Sequence, residues 1–208
     1  YAVRRDSASI MITGSHIPYD RNGYKLNTSI GELLKEHELP IKQFVDTVRA
    51  DFYQQSRLES PFDTSGMLRE QIDINQLPTE DAVTEYRQRY IDFFGDNALS
   101  GMSVLLYQHS AVGRDLLQRI LAGLGAKVTT AGRSNDFVPI DTEAIDAEQI
   151  RAIQFLLEST EGEFDAVVST DGDSDRPLVL GVDGGKVVFY SGDLLGMVTA
   201  IALEADAV

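Results

Sequence analysis

The 208-residue chain has no cysteine, so neither a disulfide framework nor a thiolate metal site is available to it. That absence fits a reducing cytosol. Basic side chains are also scarce: 18 Lys and Arg stand against 33 Asp and Glu, for a formal net charge of −15. Nucleic-acid binding needs a clustered excess of positive charge, so the balance argues against such a partner. The acidity reads as a solubility property. No apolar run reaches the ~20 residues that a membrane span requires, and no signal-peptide pattern is visible at the start. The expectation is a cytoplasmic protein without membrane or nucleic-acid partners.

Apolar residues make up 43 % of the sequence and charged ones 25 %, ordinary values for a globular protein of about two modest domains. Short β-rich runs alternate with helical patterns, which predicts α/β layering. Residues 10–13 read as a buried strand. Residues 29–38 read as one helix, with Leu33 and Leu34 as its apolar contacts, and residues 41–55 as a second. The second carries Phe44, Val45, Val48 and Phe52 at helical spacing. Residues 57–78 read as a long loop, and Thr79 as the N-cap of a helix to Phe94. A βαβ series follows: strand 104–107, helix 114–124, strand 127–130, a helix capped by Asp146, and strand 165–169. Residues 178–190 read as a hairpin about Asp183-Gly184-Gly185. Domain limits are expected near 1–80, 81–187 and 188–208. Tyr1 is not an initiator Met, and residues 192–203 form an apolar helical run with no following element. Both ends therefore read as cuts in a longer chain.

Two loops carry chemistry. Asp171-Gly172-Asp173-Ser174-Asp175-Arg176 places three carboxylates at alternate positions directly after an apolar strand. Such acids converge on one hard cation if the backbone curls; otherwise the run is a solvated acidic turn. An EF-hand is a poor match, because Arg176 and Val182 stand where that loop needs Gly and Glu. Arg176 is suited to meeting a phosphate beside the acids. The second loop, Thr13-Gly14-Ser15-His16-Ile17-Pro18, puts a serine after another apolar strand. His16 and Lys25 are candidates for moving protons or balancing charge there. Taken alone, an adjacent Ser-His pair is commonly incidental, and it is no protease triad, whose members come from separate elements. His109 follows a strand end, where loops face a cleft; the alternative is a hydrogen-bonded surface or packing histidine. His37 lies in a charged helix and reads as solvated.

Taken together, the two loops resemble those of the α-D-phosphohexomutase superfamily, the phosphomannomutases and phosphoglucomutases. The serine loop of that family has the form T-[AG]-S-H-N-P-x-x-x-N-G-x-K, and residues 13–25 match it except for Ile17, which replaces Asn and its side-chain hydrogen bond. Residues 171–176 match the family's D-G-D-[AGS]-D-R metal loop in full. Gly132-Arg133-Ser134 and the segment from Phe137 to Ala144 resemble the phosphomannomutase branch, and Gly192-Asp193 with Gly196 resembles the opening of the third domain.

The resemblance implies two consecutive α/β domains, with mixed sheets in layers, out of a four-domain architecture. It also implies a phosphoserine at Ser15, and Mg²⁺ held by Asp171, Asp173 and Asp175 with a Ser15 phosphoryl oxygen. Lys25 and His16 would serve acid–base work, and Arg176 would contact the phosphoryl group or sugar. The implied reaction interconverts hexose 1- and 6-phosphates, mannose phosphates foremost, through a hexose 1,6-bisphosphate. Glucose or glucosamine phosphates, a metal-binding relative without turnover, and a phosphatase using the same aspartates are the other readings. The resemblance leaves open whether the protein is a monomer or a dimer.

A mutase must hold one hexose in two opposed orientations, and remote contacts supply that binding energy. With the third domain only begun, the 208 residues alone are expected to turn over roughly a hundredfold or more slower than a whole family enzyme. A coupled assay of the two side by side measures this, and comparable kcat/KM values would refute it.

Overall fold

The structure is a computed structural model that describes residues 1–13, 21–70 and 80–206. It divides into two compact units, one of residues 1–12 and 24–82 and the other of residues 13–23 and 83–208.

The first unit carries a three-stranded sheet in the order β1 (Ser9–Thr13), β2 (Gly23–Thr28), β3 (Gly31–Glu32). A single helix, α1 (Lys35–Gln54), follows. The helix expected over 29–38 is instead a tight turn and the short β3. The Thr28 hydroxyl closes that turn, accepting from the Ile30 amide at 3.3 Å and donating to the Gly31 carbonyl at 3.0 Å. Such local side-chain bonds compete with helix formation. Helix α1 starts where His37 Nδ1 accepts the Leu34 amide at 3.1 Å, so His37 is a half-exposed cap rather than a merely solvated residue. The helix then runs through Pro40. Proline there forfeits only the bond to the Glu36 carbonyl, and the ladder beyond is intact, so the two expected helices are largely one. Strand β1 departs from expectation too. Ile10 and Ile12 are 66 % and 64 % exposed, because among the described residues no helix packs extensively over this sheet. Residues 55–70 are irregular, as expected for the loop. Arg69 ties them together through the carbonyls of Phe62 and Arg57. Thr79 and residues 71–78 lie outside the described residues.

Besides residues 13–23, the second unit takes up the chain within α2 (Glu80–Phe94) and is built on a five-stranded sheet. Its strands are β4 (Ser103–His109), β5 (Lys127–Arg133), β6 (Ala166–Thr170), β7 (Pro177–Asp183) and β8 (Lys186–Tyr190), in the order β5-β4-β6-β7-β8. Strand β4 is parallel to both β5 and β6, and β6, β7 and β8 are antiparallel. The sheet is therefore mixed, as the family resemblance implies. Leu105, Val167 and Leu180 lie in one cross-strand row and are wholly buried. Helix α4 (Ala147–Ser159) covers that row with Ile153 and Leu157. Its start is fixed by Asp146, whose carboxylate accepts the Glu148 and Gln149 amides at 2.8 Å, a capping box. Helix α3 (Arg114–Gly123) packs against β4 and β5 with Ile120 buried. Gly184 and Gly185 turn β7 into β8 with φ of 54° and 77°, the left-handed pair of a two-residue hairpin. Helix α5 (Gly192–Ala202) follows, with Leu194, Met197, Val198 and Ile201 exposed.

Ile153 is 2 % exposed and sits at the centre of the core cluster. Ile153→Ala is expected to cost about 2–5 kcal/mol in denaturant unfolding. Phe155→Ala on the exposed side of the same helix is expected to change stability by no more than about 0.5 kcal/mol.

Candidate metal centre

The acidic loop is the turn of a hairpin. Strands β6 and β7 pair antiparallel up to Thr170 opposite Pro177, so residues 171–176 must reverse the chain between fixed ends. The loop closes on itself: the Asp171 amide donates to the Arg176 carbonyl at 3.1 Å, and the Arg176 amide donates to Asp171 Oδ1 at 3.3 Å. Ser174 takes the left-handed conformation at φ 66°, which provides the curl that converging carboxylates require.

One oxygen from each of Asp171, Asp173 and Asp175 lies within 4.8 Å of the others. Asp171 is buried, Asp173 half-buried and Asp175 exposed. Burial, followed by the neighbouring Asp173 and Asp175 carboxylates, pushes the Asp171 carboxyl above its usual range, and only the Arg176 amide pulls it down. Three hard oxygens crowded at electrostatic cost are the donor set of a hard divalent cation, whose charge would relieve the crowding. The residues thus fit such an ion.

The site lies where the carboxyl ends of parallel β4 and β6 meet, the usual ligand position in open α/β sheets. A cleft of about 480 Å³ beside it is lined by Tyr86, Tyr90, Leu117, Asp173, Asp175 and Arg176. A second cleft of about 260 Å³ is lined by Phe137, Glu143, Asp171 and Arg176 among others. Arg176 belongs to both. Its Nη1 pairs with Glu143 Oε1 at 3.0 Å, and its Nε lies 4.0 Å from Asp175. The sequence gives no hint of the Glu143 contact, because 33 residues separate the two and neither lies in a periodic element. Thr13, which groups with this unit, donates its hydroxyl to the Asp173 carboxylate.

Ser15 and His16 lie outside the described residues. Lys25 is exposed on β2 in the first unit. His109, for which sequence offered a cleft or a packing role, is fully buried at the end of β4.

This layered α/β unit with an acidic hairpin at its strand ends has known counterparts. Residues 1–51 match the model of phosphoglucomutase/phosphomannomutase alpha/beta/alpha domain I, and residues 85–184 match that of domain II. The chain belongs to the phosphoglucomutase/phosphomannomutase family. It is 38 % identical over its whole length to a phosphomannomutase of Sinorhizobium fredii and spans 40 % of that protein. It is 37 % identical to a phosphomannomutase of Salmonella muenchen over 96 % of the chain and 37 % of the relative. A phosphoglucomutase/phosphomannomutase family protein from Burkholderia thailandensis shares the fold at TM-score 0.61 and 20 % identity. The match covers 94 % of this chain and 37 % of that one. The chain thus spans about 40 % of the length of the phosphomannomutases it matches. Among the described residues no helix is long and apolar enough to cross a membrane.

Gly113, at the start of α3, is where the acidic hairpin meets the rest of the unit. A Cβ there would lie 2.8 Å from both Cβ and Oγ of Ser174, closer than such atoms pack. Gly113→Ala is expected to cost about 1–3 kcal/mol in thermal unfolding. Gly196→Ala, in α5 with nothing within 4 Å among the described residues, is expected to stabilise by about 0.5–1 kcal/mol.

Proposed function

We propose that the whole protein is a cytoplasmic phosphohexomutase that interconverts hexose 1-phosphates and 6-phosphates, with mannose phosphates as its preferred substrates. The observation that carries the reading is the bond from Thr13 to Asp173. It ties the root of the serine loop, two residues before Ser15, to the acidic hairpin. The start of the serine loop is thereby anchored at Thr13 beside the hard oxygen ligands, which supports a phosphoryl carrier working with them, as phosphoryl transfer demands. The mannose preference is supported by the two phosphomannomutases that this chain resembles at 37 % and 38 % identity.

Phosphorylated Ser15 would give its phosphoryl group to a hydroxyl of a hexose monophosphate. The bond from Ser15 Oγ to phosphorus breaks, a sugar O–P bond forms, and the sugar proton is passed to Oγ. Lys25, with His16 in support, is assigned the proton transfer and charge balance. The resulting hexose 1,6-bisphosphate reorients and returns its other phosphoryl group to Ser15. Arg176, swinging from the exposed carboxylate of Glu143, would bind the transferred group or the sugar phosphate. Mg²⁺ held by Asp171, Asp173 and Asp175, with a Ser15 phosphoryl oxygen, would neutralise charge that builds on the transferred group. The reorientation requires a roomy cleft that excludes water, since water would hydrolyse the phosphoserine.

The test joins a mass and a rate. Peptide mass spectrometry should find phosphate on Ser15 after incubation with a hexose 1,6-bisphosphate. In a coupled assay of the whole protein on mannose 1-phosphate with Mg²⁺, Ser15→Ala is expected to lower kcat at least roughly a thousandfold. Undiminished turnover in that variant would sink the mechanism, and faster turnover of glucose or glucosamine phosphates would reassign the substrate.

A further inference from the structure

The acidic hairpin is gripped from one side by the turn that follows β4, and the grip has a pattern. His109 Nε2 lies 2.8 Å from the carbonyl oxygen of Thr170. The Val112 amide donates to the Gly172 carbonyl at 3.0 Å, and the Gly113 amide donates to Ser174 Oγ at 2.8 Å. The three residues held, Thr170, Gly172 and Ser174, alternate with the three acids. Fixing every second residue of a curled loop leaves the intervening side chains to converge, and those are Asp171, Asp173 and Asp175.

His109 is the one side chain among these three donors, and the structure singles it out. It is fully buried, and its backbone takes φ 27°, a left-handed value that a residue with a side chain seldom adopts without strain. The strained backbone is held in place by its own carbonyl, which accepts from Arg114 Nη1 at 2.6 Å and from the Ser134 amide at 2.9 Å. A carbonyl oxygen only accepts, so Nε2 must carry the ring proton. Nδ1 is buried with no partner among the described residues. Protonating it would bury an unsatisfied donor and a charge near Arg114. Burial first, and then Arg114, hold the ring below its usual range against the pull of the Thr170 bond, so the ring stays neutral as a single-donor strut.

We propose that His109 is a positioning residue for the carboxylate cluster: its Nε2–H, acting with the Val112 and Gly113 amides, sets the spacing of Asp171, Asp173 and Asp175 and thereby their affinity for a divalent cation. This rests on the reading of those acids as a metal site, and the experiment separates the two. Mn²⁺ binding is measured by electron paramagnetic resonance, alongside unfolding midpoints, for the unsubstituted protein and for Asp173→Asn, His109→Leu and His109→Gln. Gln is chosen because its amide nitrogen reaches the position of Nε2. The expected result is at least tenfold weaker binding in Asp173→Asn and about tenfold weaker binding in His109→Leu. His109→Gln should restore affinity to within about threefold of the unsubstituted protein. Unchanged affinity in His109→Leu, or a loss in His109→Gln as deep as in His109→Leu, overturns the role of His109 while leaving the metal site standing. No Mn²⁺ binding by the unsubstituted protein overturns both. If His109→Leu does not fold, the ¹⁵N spectrum of the unsubstituted protein's histidines decides. A slowly exchanging proton on Nε2 whose resonance shifts on Mg²⁺ addition supports the proposal, and a proton on Nδ1, or no shift, overturns it.

Discussion

Strand pairing controls the candidate site. Thr170 faces Pro177 across the β6–β7 ladder, and six residues must turn the chain between those two points. Three of the six are aspartates, so the turn forces like charges into a space a few ångströms wide. A turn closed by Gly or Asn would relieve that repulsion at once; this one sustains it. The repulsion is offset by backbone bonds within the loop and by donors from outside it. The same arrangement explains why the buried Asp171 resists ionisation and why Ser174 accepts a left-handed backbone.

The second unit was largely legible in the sequence. Most of its strands contain apolar runs that pack under a helix, and its helices carry local stop and start signals such as Asp146. The acidic hairpin was legible for the same reason: its chemistry lies in six consecutive residues. What escaped is what depends on distant chain. The Glu143–Arg176 pair and the donors from residues 109–113 to the hairpin are set by tertiary packing and leave no periodic trace. His109 shows the limit well, since nothing beside it in sequence says whether its ring faces solvent, ligand or a carbonyl.

In the first unit the failures have another cause. Apolar runs were read as burial, but Ile10 and Ile12 are mostly exposed, and the apolar stripe of α1 contributes no buried residue. Apolar pattern reports which face prefers to leave water, and only a partner layer makes that preference into a core. The turn at residues 28–31 was misread because a threonine hydroxyl outbid helix propensity locally. Such side-chain to backbone bonds are cheap to make and hard to see in composition.

The three acids are near neighbours along the chain, yet the donors from His109 and Gly113 come from 61 residues away. The loop itself closes at small entropic cost, while the frame that shapes it waits for a parallel pairing of β4 with β6, the slow kind of contact in a folding chain. The closure of the hairpin is therefore local, and its shape depends on contacts made far along the chain. A nascent or partly refolded chain would hold all three carboxylates in a short turn and still lack their final spacing. The final spacing of these carboxylates is thus a property of the assembled sheet, present only where its two halves have met.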